Sequence, residues 1–354
     1  MNSKLKIYFY HTRLTRESYE EWKDFRFPGH ILYGLPLLEK YGIQAVMHRY
    51  KPYANRWKLM LYTTKEILFC KEKYEVLYGT SFRGLELIIF LRALGLYRKP
   101  IVVWHHTALR KSPNRLKEAI SRFFYRGIDH MFLFSRKLIQ DSIATHKVPE
   151  HKLELIHWGP DLAFYDHLLK KLPAEPRKGF ISTGKENRDL KAFSQTDENL
   201  EVFIAKECGN LNYKKIADNL TLADNICIHY TEGVIPYELA KKVARKKAIV
   251  ICCLDFPYTV GLTTLVEAYA LGIPVVCSKN PNFEIDIDKE EIGIAVEYGD
   301  VEGWVKAIRY LSTHPEKARE MGENARKLGE KRFNLEIFSK EIAQRLLHIS
   351  TKNS

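Results

Sequence analysis

The sequence has no run of about twenty uncharged apolar residues, the length that crosses a bilayer as a helix. Its most apolar segment, from Leu85 to Tyr97, is interrupted by Glu86 and Arg92. The first residues, MNSKLKIYFYHT, contain an apolar run that stops at His11 and is too short for a secretory signal. We therefore expect neither a membrane-spanning helix nor a signal peptide.

The sequence also lacks any cysteine spacing that is typical of a metal site or a redox motif. Its six cysteines lie at positions 70, 208, 227, 252, 253 and 277, without a CxxC pair or a Cys/His cluster. We interpret them as reduced thiols of a cytoplasmic protein. Asp286 and Asp288 have the DxD form, but they lie in a predicted loop after a late strand and are interpreted as surface charge. The sequence therefore predicts no metal and no cofactor.

An acidic excess is missing as well, because the net charge is +13 at pH 7. Residues 1–161 contain 28 Lys and Arg against 15 Asp and Glu, whereas residues 162–354 contain 28 of each kind. A surface of one sign attracts polyanions or anionic lipid, although a basic face can also be merely solvated. No recognised nucleic-acid-binding motif accompanies the charge, so we do not expect nucleic acid as a partner.

Short apolar runs alternate with helical patterns, and 354 residues are enough for two cores. The expected fold class is therefore α/β, with two Rossmann-like doubly wound domains that face a cleft. The prolines between Asp161 and Lys178 predict a linker. Among the predicted helices are Ile31–Tyr41 and Leu190–Ser194. The predicted strands are Lys6–Tyr10, Ala45–Arg49, Val76–Gly79, Ile101–Trp104, His130–Phe134, Leu153–Ile156, Phe180–Ser182, Glu201–Ala205, Ile226–His229, Ile249–Cys253, Pro274–Cys277 and Ile294–Val296.

The segment FPYTVGLTTLVEAYALGIPVV, residues 256–276, follows one of these strands and carries a local signal. Gly261 precedes a predicted helix whose N-cap is expected at Thr263 or Thr264. Free N–H groups and the positive end of the helix dipole suit an anion, above all phosphate. Glu267, about one turn into the helix, would accept hydrogen bonds from two sugar hydroxyls. The alternative is a capped strand–helix turn that Glu267 supports.

The stretch GLTTLVEAYALGIPVV resembles the C-terminal signature of GT-B glycosyltransferases, in particular retaining glycosyltransferase family 4 (group 1). The segments IGIAVEYGDVEGW and ISTGKENRDLKAF also resemble segments of the family. The tetrapeptide WGPD, residues 158–161, occupies the position where the family usually has Asn-Gly-Val-Asp. The resemblance covers most of the chain. It implies an acceptor-binding domain over residues 1–161, completed by a C-terminal helix at 335–354, and a nucleotide-sugar-binding domain over residues 162–334.

At the donor site, the resemblance assigns the ribose to Glu267 and places nucleobase contacts around Val234, in the segment TEGVIPYE. The family has an earlier glutamate that contacts the donor sugar, and Thr259 stands at that position here. Asp255, four residues before it, is the alternative contact. This departure leaves the identity of the donor sugar open.

The resemblance also implies a basic clamp on the donor diphosphate after the first strand of the C-terminal domain. The matching candidates are Lys185, followed by Arg188 or Lys191. Such cations stabilise the negative charge that grows on the leaving diphosphate, so the expected reaction needs no metal ion. The helix start that completes this site is expected at Gly261, Leu262, Thr263 and Thr264.

In the N-terminal domain, the family places a histidine after a strand, close to the donor sugar. The strand PIVVW is followed by His105 and His106, which should point apart. An imidazole suits this place, because it can donate to a sugar hydroxyl or to developing charge. Of the two, we prefer His106 as the catalytic residue, with His105 as the alternative. Gly29 is a candidate for backbone contact with the diphosphate or a plain helix start, and the loop 12–28 is expected to contact the acceptor.

The expected function is transfer of a sugar from a nucleotide-diphosphate sugar, UDP-linked rather than GDP-linked, to a hydroxyl of a glycan or glycolipid acceptor. Retention is implied by the resemblance alone. The basic N-terminal domain suits a lipid-diphosphate acceptor at an anionic membrane face. We therefore expect a cytoplasmic, peripheral enzyme of cell-surface polysaccharide or glycolipid biosynthesis. The alternatives are a nucleotide-sugar 2-epimerase and a non-catalytic, transferase-like binding protein.

Overall fold

The computed structural model describes residues 4–184, 186–231 and 237–352. The chain divides into two compact units, each with its own six-stranded parallel sheet. Sheets and helices alternate along the chain, which gives the predicted α/β architecture. Unit 1 comprises Met1–Asp24, Pro28–Trp158 and Leu335–Ser354, and unit 2 comprises Phe25–Phe27 and Gly159–Asn334.

Unit 1 starts with twelve elements: β1 (Leu5–Tyr10), α1 (Thr15–Lys23), α2 (Leu35–Leu38), β2 (Ile43–Met47), α3 (Arg56–Leu68), β3 (Val76–Gly79), α4 (Glu86–Ala93), β4 (Ile101–Trp104), α5 (Arg115–Arg126), β5 (His130–Leu133), α6 (Arg136–Ile143) and β6 (Leu153–Leu155). Its strand order is β2-β1-β3-β4-β5-β6. Strands β3, β4 and β5 are buried at every position, which accounts for their nearly continuous apolar runs.

Helices α3, α4 and α5 lie side by side on one face of this sheet. They connect β2 to β3, β3 to β4 and β4 to β5, always in the same direction across the sheet, and such crossovers are right-handed. Helix α3 contacts α4, and α4 contacts α5. Gly127, just after α5, permits a close approach, because a Cβ there would lie 2.0 Å from the carbonyl oxygen of Ile89.

Unit 2 continues with fourteen elements: α7 (Leu162–Lys171), β7 (Phe180–Gly184), β8 (Leu200–Ile204), β9 (Glu207–Cys208), β10 (Leu211–Asn212), α8 (Tyr213–Asp218), β11 (Ile226–Tyr230), α9 (Tyr237–Ala244), β12 (Ala248–Ile251), α10 (Leu262–Leu271), β13 (Val275–Ser278), β14 (Gly293–Val296), α11 (Val301–Thr313) and α12 (Pro315–Lys331). The sheet order is β11-β8-β7-β12-β13-β14, and β9 pairs with β10 in a small antiparallel ladder. Helix α10 is largely buried between the sheet, α7 and α12.

The last helix, α13 (Leu335–Lys352), belongs to unit 1. It contacts α2 and β3, and the ring of Phe338 lies 5.6 Å from that of Trp104 between centroids. Arg345 Nη2 donates to Glu154 Oε1 at 2.8 Å, and the same carboxylate bonds to His130 on β5. Unit 1 is therefore built from the first and the last parts of the chain.

The twelve predicted strands are confirmed, with ends shifted by at most two residues. The predicted linker between Asp161 and Lys178 is wrong in its first half, which forms helix α7. Asp161 caps this helix, because its carboxylate accepts from the Phe164 amide at 3.1 Å. The loop predicted after β1 is also wrong in part, since it contains helix α1, where Lys23 and Glu20 form an ion pair at 2.9 Å.

Two predicted helices are wrong. The range Ile31–Tyr41 is broken by positive φ angles at Tyr33 and Gly34, and only the single turn of α2 is α-helical. The range Leu190–Ser194 is a series of turns. There the Ser194 hydroxyl donates to the Lys191 carbonyl at 2.8 Å, a local bond that competes with helix formation.

None of the helices in the described part of the chain is both long enough and apolar enough to cross a membrane.

Candidate functional site

Two loops of unit 2 follow the neighbouring strands β7 and β12 and are hydrogen-bonded to each other. The Leu254 amide donates to the Asn187 carbonyl at 2.8 Å. The Tyr258 hydroxyl donates to Glu186 at 2.8 Å. Because the carboxyl ends of parallel strands share one edge of the sheet, the loops form one connected segment where ligands of such sheets usually bind.

Gly261 is the N-cap of helix α10 and has a φ of 89°. A Cβ at this position would lie 2.5 Å from the Ile251 side chain and 3.2 Å from the Cys253 sulfur. The positive φ and the close approach both require glycine. The predicted N-cap at Thr263 or Thr264 is therefore wrong, since no side chain caps this helix.

The first turn of α10 presents backbone amides that the described part of the chain leaves without an acceptor. These are the N–H groups of Thr263 and Thr264, whereas the Leu262 amide donates to the Thr259 carbonyl at 3.2 Å. The Thr264 hydroxyl points to the end of β7, where it lies 3.4 Å from the Thr183 carbonyl. Free amides and the helix dipole together favour an anion at this turn.

Arg188 is buried beneath this turn. Its Nη2 donates to the Thr183 carbonyl at 2.9 Å and to the Thr264 hydroxyl at 3.3 Å, and its Nη1 lies 3.2 Å from the Cys253 sulfur. Gly184 makes room, because a Cβ there would lie 2.0 Å from Nη2. Among the described residues its acceptors are all uncharged. The site therefore holds a buried positive charge beside a helix N-terminus.

Glu267 lies on the second turn of α10 and is half-buried. Burial raises the pKa of its carboxyl to about 7, while a hydrogen bond from Tyr165 on α7 opposes this rise. The Tyr165 hydroxyl donates to Glu267 Oε1 at 3.4 Å. Near neutral pH the carboxyl is therefore present in both protonation states, and the carboxylate is the better partner for two hydroxyls, because both of its oxygens accept hydrogen bonds and neither carries a proton.

The remaining predicted donor residues have different surroundings. Lys191 is exposed in the turn after β7. Thr259 is buried, and Asp255 is exposed in the loop after β12. Lys185 and Val234 lie outside the described residues.

In unit 1, the two candidate histidines follow β4 and have different environments. His105 is buried, with Nε2 3.0 Å from the Tyr125 hydroxyl, and burial lowers its pKa to about 4. His106 is only partly buried, and its Nε2 lies 2.9 Å from the Thr80 carbonyl, so Nε2 carries the hydrogen. His106 is the member of the pair that remains accessible to a ligand.

The same edge of unit 1 is lined by aromatic rings. Gly29 begins a buried 3-10 turn, and the Trp158 indole donates to the His30 carbonyl in that turn at 3.1 Å. The Trp158 ring stacks on Phe134 at 5.2 Å between centroids and packs against Tyr33 at 5.4 Å. Gly29 is thus held in a packed aromatic cluster.

Sequence reasoning missed Tyr165, because it fell in the segment interpreted as a linker. The available signal was an Asp N-cap at position 161 followed by apolar residues at helical spacing. Within the described ranges, no group of three His, Cys, Asp or Glu side chains could hold a metal ion. Asp286 and Asp288 instead accept hydrogen bonds from backbone amides at 3.1 and 2.9 Å.

Residues 187–328 match the protein family described as "Glycosyl transferases group 1". The matched range contains Arg188, Gly261 and Glu267, and with them the anion-binding turn of unit 2. Among curated proteins, no match to the sequence was found.

The whole chain is similar to several solved structures at low identity. A glycosyltransferase from Rickettsia africae ESF-5 is 16% identical, with a TM-score of 0.65 over 100% of both chains. Sucrose-phosphate synthase from Thermosynechococcus elongatus is 14% identical, with a TM-score of 0.71 over 98% of this chain and 100% of that one. Anabaena HepE, solved in complex with UDP and glucose, is 14% identical, with a TM-score of 0.63 over 97% and 100%.

These likenesses give the chain the GT-B fold, with one Rossmann-like sheet in each unit. The group 1 match over residues 187–328 makes the chain a glycosyltransferase enzyme.

Proposed function

We propose that this enzyme transfers a sugar from a nucleotide-diphosphate sugar, UDP-linked rather than GDP-linked, to a hydroxyl of a glycan or lipid-linked acceptor. The observation that carries the proposal is the buried charge of Arg188 beneath the free amides of α10. A dianionic diphosphate at this turn would supply the countercharge that Arg188 lacks among the described residues.

In this proposal Arg188 acts through its charge, because its N–H groups already bond to protein atoms. Direct contacts come from the amides of Thr263 and Thr264, and from Lys185 or Lys191. These groups stabilise the charge that grows on the leaving diphosphate. They take the role that a metal ion has in other transferases, so we propose a metal-independent reaction.

Glu267 is proposed to hold the ribose through its carboxylate, and Tyr165 to orient that carboxylate. The two hydroxyls of a ribose can both donate to one carboxylate. The negative charge and the partial burial of that carboxylate strengthen such hydrogen bonds. Val234 is proposed to lie near the nucleobase, and Gly29 to bring backbone near the diphosphate. With Thr259 in place of the family's first glutamate, the donor sugar itself stays open.

The proposed reaction breaks the bond between the sugar C1 and the diphosphate oxygen and forms a bond from C1 to the acceptor oxygen. The acceptor hydroxyl loses its proton to the departing diphosphate, and the nucleoside diphosphate leaves. We assign this reaction to retaining family 4, and His106 to hydrogen bonding at the reacting sugar. The pathway would be cell-surface polysaccharide or glycolipid biosynthesis at the inner face of a membrane.

Thermal unfolding with UDP, GDP or ADP, each with and without EDTA, tests the donor site. A ligand that binds only the folded state stabilises it by about 2.7 kcal/mol at a hundredfold excess over Kd. We expect UDP to raise Tm, and EDTA to leave that rise unchanged. Absence of a shift with all three nucleotides would contradict the donor site and favour a non-catalytic binding protein.

Product analysis with a UDP-sugar and a broad acceptor mixture tests the transfer itself. We expect acceptor-dependent release of UDP and a product whose anomeric configuration matches the donor. Conversion of the donor sugar without any acceptor would instead indicate the epimerase alternative.

A further inference from the structure

Unit 1 exposes large apolar side chains on helix α3. Trp57 and Leu61 lie four residues apart, and Leu68 continues the same stripe about two turns further along. Trp57 is 71% exposed, and Phe69, directly after the helix, is 76% exposed. Single exposed apolar residues are ordinary, but a stripe of this kind on one helix calls for a partner.

Helix α5 carries a second stripe. Leu116 is 70% exposed, and Ile120 follows it by one turn. None of the residues of α5 is fully buried, although the helix has a strongly one-sided distribution of apolar residues. Between the two helices, the segment after α4 exposes Leu94 and Leu96.

These stripes lie on the same side of unit 1, because α3, α4 and α5 occupy one face of its sheet and contact one another in that order. Arg56 Nε on α3 donates to Glu86 Oε1 on α4 at 2.8 Å, which ties the starts of these two helices together. We name the outer surface of α3, α4 and α5, with Phe69 and residues 94–98, the docking face.

The docking face is strongly basic. Residues 56–69, 86–98 and 115–126, which form it, contain 9 Lys and Arg against 3 Asp and Glu, which is about half of the positive excess of the chain. Two of the three acids are paired with arginines of the same face, namely Glu86 with Arg56 and Glu118 with Arg122. The exposed lysines that accompany the two stripes include Lys58, Lys65 and Lys117.

We propose that the docking face binds an anionic membrane surface. Its apolar stripes would enter the boundary between headgroups and acyl chains, and its lysines and arginines would reach the lipid phosphates. Trp57 suits this boundary, because an indole has an apolar body and a polar N–H. The proposal deepens the proposed function, because it gives a location to the lipid-linked acceptor. The observations that support it concern unit 1 alone.

Charge and apolar exposure together favour a membrane over the two other possible partners of the docking face, a second copy of the chain and a nucleic acid. A second copy of the chain placed on the same patch would bring two positive faces together, which opposes a symmetric dimer. A nucleic acid would satisfy the charge but would leave Trp57, Leu61, Leu116 and Ile120 without an apolar partner.

Sedimentation of the full chain with lipid vesicles tests the proposal. We expect binding to phosphatidylcholine vesicles that contain phosphatidylglycerol to be at least about tenfold stronger than to phosphatidylcholine alone, and to weaken at high salt. Equal binding to both vesicles would overturn the role of the charge.

Two sets of variants separate the two contributions. Leu61→Ser with Leu116→Ser should lower vesicle binding by about tenfold or more, because both side chains lose their insertion. Lys58→Gln with Lys65→Gln and Lys117→Gln should lower it by about tenfold and weaken its salt dependence. The matched control is Lys306→Gln with Lys327→Gln and Lys331→Gln in unit 2, which should bind as the unmodified chain does.

Three further measurements keep the test decisive. The UDP-induced rise in Tm must be the same in all variants, which shows that they fold and that the donor site is independent.

Sedimentation velocity without lipid should give a monomer. A dimer that is dissociated by the double substitution Leu61→Ser with Leu116→Ser would overturn the proposal in favour of self-association. Binding to RNA that needs the lysines and not the leucines would overturn it in favour of nucleic acid. Absence of vesicle binding with an intact UDP response would reject the docking face and leave the proposed function standing.

Discussion

The two units share an architecture and differ in their surfaces. Each has six parallel strands covered by helices, yet unit 1 contains 30 Lys and Arg against 16 Asp and Glu, and unit 2 contains 26 against 27. The backbone arrangement therefore does not decide the charge. Unit 2 concentrates one positive charge inside, at Arg188, whereas unit 1 spreads many over its outside.

The carboxyl edges of the two sheets differ in the same way. In unit 2 this edge offers backbone amides, small residues and a buried cation, which together suit a phosphate. In unit 1 it offers histidine and stacked aromatic rings, which suit uncharged groups such as a sugar. The comparison predicts that substitutions in unit 2 change nucleotide binding, while substitutions in unit 1 change turnover or membrane binding.

The largest expected effect tests the unit 1 side of this comparison. His106→Ala should lower kcat by about 10² to 10³-fold, because a positioned imidazole that bonds to the reacting sugar is lost. The UDP-induced rise in Tm should remain, since the proposed phosphate and ribose contacts, apart from the backbone of Gly29, come from unit 2. Sugar transfer assays and thermal unfolding measure the two quantities. His151→Ala, an exposed histidine of the same unit, is the control, and loss of the UDP response in His106→Ala would break the division.

The next effect concerns the turn of unit 2. Gly261→Ala should abolish the UDP response and lower the free energy of unfolding by about 3 kcal/mol, because strain at positive φ adds to a Cβ contact of 2.5 Å. Gly299→Ala is the matched control in the same unit, since its φ is 76° and nothing lies within 4 Å of the position that its Cβ would take. It should cost about 1 kcal/mol and leave UDP binding intact. Equal losses in both variants would refute a special role for Gly261.

The third effect sharpens the role of Glu267. With a pKa of about 7, its carboxylate fraction falls about tenfold from pH 8 to pH 6, so UDP affinity should fall by about that factor. Calorimetric titration measures this dependence. Glu267→Gln should bind more weakly at pH 8 and show only the smaller pH dependence of UDP itself. A wild-type curve parallel to that of the variant would exclude the carboxylate from binding.

Without ligand, the titration of Glu267 affects stability in the opposite sense. A rise in pH strengthens UDP binding but lowers the free energy of unfolding. The folded state holds its Glu267 proton up to about pH 7, while the unfolded chain releases it near pH 4.5. The free energy of unfolding should therefore fall as pH rises through this window, and fall less in Glu267→Gln.

The smallest effect tests Tyr165 as a positioning residue. Tyr165→Phe removes the hydrogen bond that opposes the raised pKa of Glu267, so that pKa should rise further. UDP affinity near pH 7 should fall about two- to fourfold, and the midpoint of its pH dependence should move upward. Recovery of full affinity at pH 9 would identify the titration as the cause. A uniform loss at every pH would instead indicate a packing defect.

Much of the fold could be predicted because its signals are local. Central parallel strands are continuous apolar runs, and two of them, Val76–Gly79 and Ile101–Trp104, begin and end as predicted. The Gly261 turn was recognisable for the same reason, since glycine, a following helix and a glutamate lie within seven residues of sequence.

The rest depends on contacts between distant residues. The bonding of Arg188 needs Thr264, which lies 76 residues away, and the contact of Tyr165 with Glu267 spans 102 residues. Helix α7 was missed because Pro173 and Pro176 dominated the pattern, although they follow the helix and end it. Whether a cation in a basic loop projects outward or lies buried is decided by such long-range contacts.

The return of α13 to unit 1 has a consequence for biosynthesis. A ribosome makes Leu335–Lys352 after every strand of both sheets, so the nascent chain can complete unit 2, which ends at Asn334, before it completes unit 1. Until α13 leaves the exit tunnel, Trp104 lacks the packing of Phe338, and Glu154 lacks Arg345. The half of the protein that is translated first is thus the half that matures last, and a chain terminated early would present an open unit 1 to chaperones and proteases.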